Sequence, residues 1–318
     1  MATAGAFEAG EQFVVGLQQG AIYALIAVGY TMVYGIIELI NFAHGDVFTL
    51  SGFYALLYVS FFGRFLHLDL NSLAMGSVGG LIATLAIVIP LTAVSAGITG
   101  ALIERVAYRR LRNSPRLAPL ITAIGMSFLL EGIMFAAFGS GYVPTGFDNW
   151  LNGVAVRIGG VTITWVGALV VVTALVLMFL LQAFIRGSRL GKAMRATAQD
   201  RDAALVCGIN INRTIAATFF IGSALAGAGA VIYSMYNGVL IWNLGFQFGI
   251  IAFTAAVLGG IGNIVGAGLG GFLIGLIAVL GGFLIGDQWS NSIIFAMLII
   301  VLIFRPTGLL GIRVPDRA

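Results

Sequence analysis

Apolar residues run along this chain in long blocks, and the positions that interrupt them carry most of the information. No Asp, Glu, Lys or Arg occurs between Glu11 and Glu38, between Asp69 and Glu104, between Arg157 and Arg186, or between Arg213 and Asp287. A helix needs about 20 apolar residues to cross a bilayer core, so the last block alone has room for three crossings. The blocks do not alternate apolar with polar residues, as the strands of a membrane barrel do. They predict an all-α, polytopic membrane protein. Its crossings are expected near 12–37, 46–62, 73–103, 119–138, 162–185, 214–236, 245–261, 266–285 and 290–304. Nine is the expected number, within a range of eight to ten. Pro90 marks the third as a helix that is kinked or broken.

Composition supports this reading. Of 318 residues, 60% are hydrophobic and 9% charged, and the mean hydropathy is +1.05. A soluble domain carries roughly 25% charged residues, so most of this surface faces something other than water. The chain is expected to form one transmembrane domain over residues 1–318. The single cysteine, Cys207, leaves no partner for an internal disulfide, a redox pair or a thiolate metal cluster. A pI near 9.5 invites nucleic acid as a partner, but a basic excess in such a protein belongs to its cytoplasmic loops. The N-terminus lacks the basic segment of a secretory signal.

The basic residues set the expected topology. All but Arg64 and Arg157 of the 16 fall in three stretches. The first is Arg105, Arg109, Arg110, Arg112 and Arg116; the second Arg186, Arg189, Lys192, Arg195, Arg201 and Arg213; the third Arg305, Arg313 and Arg317. The positive-inside rule assigns all three to the cytoplasm. Three crossings before Glu104 then put the N-terminus outside, and the C-terminus lies inside. The 45 glycines, as in "GSALAGAGA" (222–230) and "GAGLGGFLIG" (266–275), have the small-xxx-small spacing that lets helices approach closely in lipid.

Two places read as interrupted helices. In "IIELINFAHGDVF" (36–48), Glu38, Asn41, His44, Gly45 and Asp46 divide two apolar segments. In "AVLGGIGNIVGAG" (256–268), Gly259, Gly260 and Gly262 cluster before Asn263. Paired interruptions point to a translocation path, and the alternative is two ordinary cytoplasmic turns. No internal repeat aligns. Glu131 falls past the middle of its crossing, where a carboxylate needs a partner or a cavity unless it packs protonated. The path candidates are therefore Asn41, His44, Asp46, Glu131, Gly259, Gly260 and Asn263. A bis-His haem needs two histidines on facing helices at one depth. His44 belongs to a cytoplasmic-side break and His67 to an outer loop, so haem and metal are set aside.

The longest polar stretch, residues 186–213, includes "GSRLGKA", which superficially resembles a phosphate-binding loop. It has one residue too few between its glycines, Ala193 replaces the Ser or Thr that holds magnesium, and it follows an apolar helix rather than a strand. No nucleotide site and no enzyme activity are expected of this chain. Residues from Met194 to Cys207 are instead expected to form a short cationic helix. "DAALVCG" (202–208) resembles the loop by which permeases of ATP-binding-cassette importers dock on their ATPases, without the family's downstream Leu-Pro. The resemblance assigns coupling to Arg195, Asp200, Asp202, Ala203, Ala204 and Gly208, with both alanines buried against the ATPase.

Five segments extend the likeness over essentially the whole chain. "YALIAVGYTMVYGIIELINFAHGDVF" (23–48), "ERVAYRRLR" (104–112), "ITAIGMSFLLEG" (121–132), "AFTAAVLGGIGNIVGAGLGGFLIG" (252–275) and "RPTGLLG" (305–311) resemble the H-type permeases (LivH) of high-affinity branched-chain amino-acid importers. Urea and short-chain amide permeases are related, and the full run through INFAHG favours the amino-acid branch. The resemblance implies an importer subunit in a bacterial cytoplasmic (inner) membrane. Its partners would be an M-type permease, two cytoplasmic ATPases that bind ATP and magnesium, and an extracytoplasmic amino-acid-binding protein. A secondary transporter or channel working without ATPases is the alternative.

Overall fold

The computed structural model describes residues 2–311 apart from Asn113, Arg116, Gly159 and Pro306, and of residues 2–7 the backbone alone. Arg116, Arg313 and Arg317 of the basic stretches lie outside the described residues. The described helices are α1 (Ala2–Ile37), α2 (Ala43–Phe65), α3 (Leu70–Gly76), α4 (Val78–Ile103), α5 (Leu117–Phe138), α6 (Trp165–Gly187), α7 (Arg189–Gln199), α8 (Arg201–Val206), α9 (Ile211–Asn237), α10 (Leu244–Gly259), α11 (Ile264–Ile285) and α12 (Ser290–Phe304). Eight helical segments among the described residues are long and apolar enough to cross a membrane. The expected crossing at 245–261 is α10, whose 16 residues reach about 24 Å, short of a ~30 Å core.

Two expected boundaries are corrected. The 73–103 stretch divides at Ser77, while Pro90 stays inside α4. Ser77 is extended and its hydroxyl accepts from Gly80 N–H at 3.0 Å. It caps a new helix, a stronger break here than an internal proline. Residues 194–207 do not form one helix either. Asp200 is extended and accepts from the N–H groups of Asp202 (2.9 Å) and Ala203 (3.1 Å), ending α7 and starting α8. Thr164, Ser188, Asn210 and Asn263 start α6, α7, α9 and α11 in the same way.

α1 is the axis of the bundle, packed along its length by α11, α9, α10 and α6. Small residues make this possible. Gly16 and Gly20 of α1 face Gly271 and Gly275 of α11, and a Cβ on Gly20 would lie 2.8 Å from the Phe272 Cα. α4 crosses α9 where Gly227 meets the Thr92 carbonyl, again with 3.0 Å for an added Cβ. Lipid gives helices no hydrophobic reason to associate, so such close backbone contact holds the bundle.

The bundle has two distinct ends. At the basic end, Arg112 donates to Asn212 Oδ1 at 2.6 Å, joining the segment after α4 to the start of α9. At the far end, the strands β1 (Val143–Pro144) and β4 (Val239–Leu240) pair, as do β2 (Val154–Ile158) and β3 (Val161–Thr164). Trp150 stacks on Phe147 there and donates to Asn71 Oδ1 at 2.8 Å. Phe147 and Trp150 of this loop are thus buried in the same core as the helices.

Candidate functional site

The first interruption lies deeper than a surface turn. α1 ends at the basic end, Glu38 takes a left-handed φ of 55°, and residues 38–42 run back into the bundle before α2 starts at Ala43. His44 packs against Gly29, two turns before Ile37 and so about 12 Å inside the end of α1. Gly29 in turn faces Gly222, three turns or about 16 Å into α9. His44 therefore lies near mid-depth, not on the cytoplasmic side where the sequence reading put it. His67 follows the opposite end of α2 and is exposed.

Each polar side chain in the break has a defined setting. Asn41 is buried, and its Oδ1 accepts from the Tyr108 hydroxyl at 3.1 Å, which also reaches the Ile40 carbonyl at 3.3 Å. His44 is buried edge-on to Tyr30, with centroids 4.9 Å apart, and neither ring nitrogen makes a hydrogen bond. Asp46 is 0% exposed. Its Oδ2 accepts from the Ser127 hydroxyl of α5, and its Oδ1 has no partner. Glu131 is buried one turn after Ser127 on the same face of α5. The structure thus brings Asp46 and Glu131 into one neighbourhood.

A second interruption, absent from the sequence reading, enters from the far end. α9 stops at Gly238 with φ 72°, residues 239–243 descend, and α10 starts at Leu244. Its first turns meet those of α2: Gly45 faces Gly249, leaving 2.8 Å for an added Cβ, and Gly245 faces Asp46. Two helix N-termini, each carrying partial positive charge, therefore meet around one buried carboxylate. Phe128 stacks with Phe246 (6.4 Å) and Phe135 meets Trp242 (5.3 Å), joining α5 to this segment. Asn243 and Gln247 are exposed beside them.

The Gly259–Asn263 segment is a turn at the basic end, with φ of 111° at Gly260 and 92° at Gly262. The chain beyond α12 pins it. Leu309 and Leu310 N–H donate to the carbonyls of Leu258 (2.8 Å) and Gly259 (2.9 Å), and Asn263 Nδ2 donates to the Leu310 carbonyl (2.9 Å).

The basic end also carries the expected docking residues. Gly208, at φ 81°, ends α8: its N–H reaches the Leu205 carbonyl (2.9 Å) and Ile209 N–H reaches that of Ala204 (3.0 Å). This is the Schellman pairing. Ala204 is 3% exposed within its own chain, whereas Ala203 is exposed and Val206 is 90% exposed. The open face of α8 is therefore Ala203, Leu205 and Val206, with Asp202 beside them. Arg195 donates to the Ile185 carbonyl. Arg201 donates to the Ile36 and Ile37 carbonyls, both at 3.1 Å. Buried Glu104, in a π-turn that continues α4, pairs with Arg109 and Arg112. Burial lowers the Arg112 pKa, and Glu104 opposes that shift. A cavity of about 380 Å³ lies between these groups and the first interruption, lined by Glu38, Leu39, Tyr108, Arg112 and Arg201 among others.

Sequence reasoning missed Ser127, Tyr108, Gly245 and Gly249. The four-residue spacing of Ser127 and Glu131 was a usable signal; nothing local announced the others.

A helical bundle with two helices starting inside it, around buried polar groups, defines a membrane transport protein. The chain belongs to the family described as the permease component of branched-chain amino acid transport systems, whose pattern matches residues 12–302. It is 45% identical over 304 residues to the high-affinity branched-chain amino acid transport system permease protein BraD of Pseudomonas aeruginosa, covering 95% of each chain. It is 42% identical over 313 residues to LivH of Escherichia coli K12, covering 95% of this chain and 97% of that one. A probable LivH of Methanocaldococcus jannaschii is 26% identical over 77% of this chain and 72% of its own. No solved structure matches.

Proposed function

We propose that this chain is the permease subunit of an ATP-driven importer for branched-chain or other neutral amino acids in a bacterial cytoplasmic membrane. The observation that carries the mechanism is the meeting of α2 and α10 around Asp46. An amino-acid zwitterion cannot cross hydrocarbon, and backbone freed by helix breaks supplies polar groups where they line a cavity. Asn41, His44, Asp46 and Glu131 are the path residues on this reading, and the Gly259–Asn263 turn closes its basic end. That end faces the cytoplasm. There α8 presents its apolar face to one of two ATPases, which bind ATP and magnesium. A second, M-type permease completes the path, and a binding protein delivers substrate at the far end.

Reconstitution tests this. Co-expressed with its ATPases, permease partner and binding protein, the chain should support leucine uptake into ATP-loaded liposomes. Purified alone, it should neither hydrolyse ATP nor accumulate leucine. Uphill uptake by the lone chain on a proton gradient would replace the proposal with a secondary transporter.

A further inference from the structure

α1 ends with no basic residue in its last turn, although the carbonyls at a helix C-terminus carry partial negative charge and need donors. The donor comes from elsewhere in the chain. Arg201, the first residue of α8 and half-buried, donates from Nη2 to both the Ile36 and Ile37 carbonyls at 3.1 Å. These are the last two carbonyls of the axial helix. Directly after them come Glu38, with its left-handed backbone, and the run that carries Asn41, His44 and Asp46. A single side chain therefore bridges the exposed docking helix and the root of the interrupted path, across one edge of the 380 Å³ cavity.

We propose that Arg201 is a positioning residue that transmits displacement of α8 to the α1–α2 break. The inference rests on the reading of α8 as the ATPase-facing helix. Movement of α8 must either carry residues 36–42 with it or break two charge-assisted hydrogen bonds, and the first keeps hydrolysis tied to the path. Both bonds leave one nitrogen, Nη2, so Arg201 supplies a charged donor that two adjacent carbonyls share, on a head group that stays charged and planar. A lysine keeps the charge and a one-nitrogen contact on a flexible stem; a glutamine keeps two N–H donors without the charge.

The test measures leucine transported per ATP hydrolysed by the full complex in liposomes, for the parent and for Arg201→Ala, Arg201→Lys and Arg201→Gln. We expect Arg201→Ala to retain its ATPases and basal hydrolysis while this ratio falls about tenfold or more, the scale set by losing even one of the two charged hydrogen bonds. Arg201→Lys should recover part of the loss. A role confined to stability changes the yield of complex and leaves the ratio untouched. If Arg201→Ala transports at the parent ratio, the inference is overturned. Should that variant not assemble, a lower ratio for Arg201→Gln than for Arg201→Lys supports the inference, and parent ratios in both overturn it. A parent complex that moves neither leucine nor any other neutral amino acid would instead sink the importer proposal, which keeps the two failures distinct.

Discussion

Asp46 is the residue whose placement asks most of the surrounding structure. A carboxylate near the bilayer centre costs about 2.5–3.5 kcal/mol, and here one of its oxygens meets only the Ser127 hydroxyl while the other meets none. Asp46→Asn keeps the shape and the hydroxyl contact while removing the charge. We expect the purified variant to melt at a higher temperature than the parent. Its uptake in the assembled complex should fall by roughly tenfold, the usual exchange of function for stability at such a site. Uptake at the parent rate would remove Asp46 from the path. The sequence made Asp46 and Glu131 visible, because charges are scarce in apolar blocks. It did not make their proximity visible, since Ser127, the α5 residue that hydrogen-bonds Asp46, lies 81 residues away.

At the scale of elements, the long helices and the α1–α2 break were legible, while the depth to which the broken segments enter the bundle was not. Apolar length alone located α6, α9, α11 and α12 to within a few residues, because a crossing has to fill a fixed thickness. The start of α10 at Leu244 matches the expected 245, but the re-entry of the chain before it was hidden. "GVLIWN" (238–243) is apolar, and only its pairing with β1 reveals an extended run. The docking segment shows the same limit: Asp200 reads as one more polar residue, yet it caps α8 and splits the expected helix. This changes what substitutions there should do. Ala204→Trp should overfill the permease itself, costing about 1–3 kcal/mol, and lower its thermal stability even without ATPases. Val206→Asp should leave that stability unchanged while reducing ATPase retention on co-purification by roughly tenfold, a hot-spot effect. The reverse pattern would place the contact surface on Ala204.

For the whole molecule, the two ends of the bundle differ in charge and in construction. If the basic end is cytoplasmic, an impermeant maleimide applied to intact cells should miss Cys207, which is exposed just after α8. It should react with Tyr142→Cys in a Cys207→Ala background, at a far-end position that is 74% exposed. Labelling of Cys207 but not of residue 142 would invert the topology. Both ends hold their helices through contacts between distant parts of the chain: Arg112 with Asn212 at one, Trp150 with Asn71 at the other. Charge counting gathers the described basic residues other than Arg64 and Arg157 at one end of the bundle, because they lie where the helices turn.

The meeting of α2 with α10 also constrains how the protein is made. Asp46 leaves the ribosome long before Ser127, and longer still before Gly245. At roughly 5–20 residues per second, those partners follow after about 4–16 s and 10–40 s respectively. In that interval the nascent α2 has its charge and its histidine in a segment that the insertion machinery must hold without their final neighbours. The neighbourhood of Asp46 is therefore complete only once the C-terminal half of the chain has been made, because Gly245 and Gly249 form one wall of it.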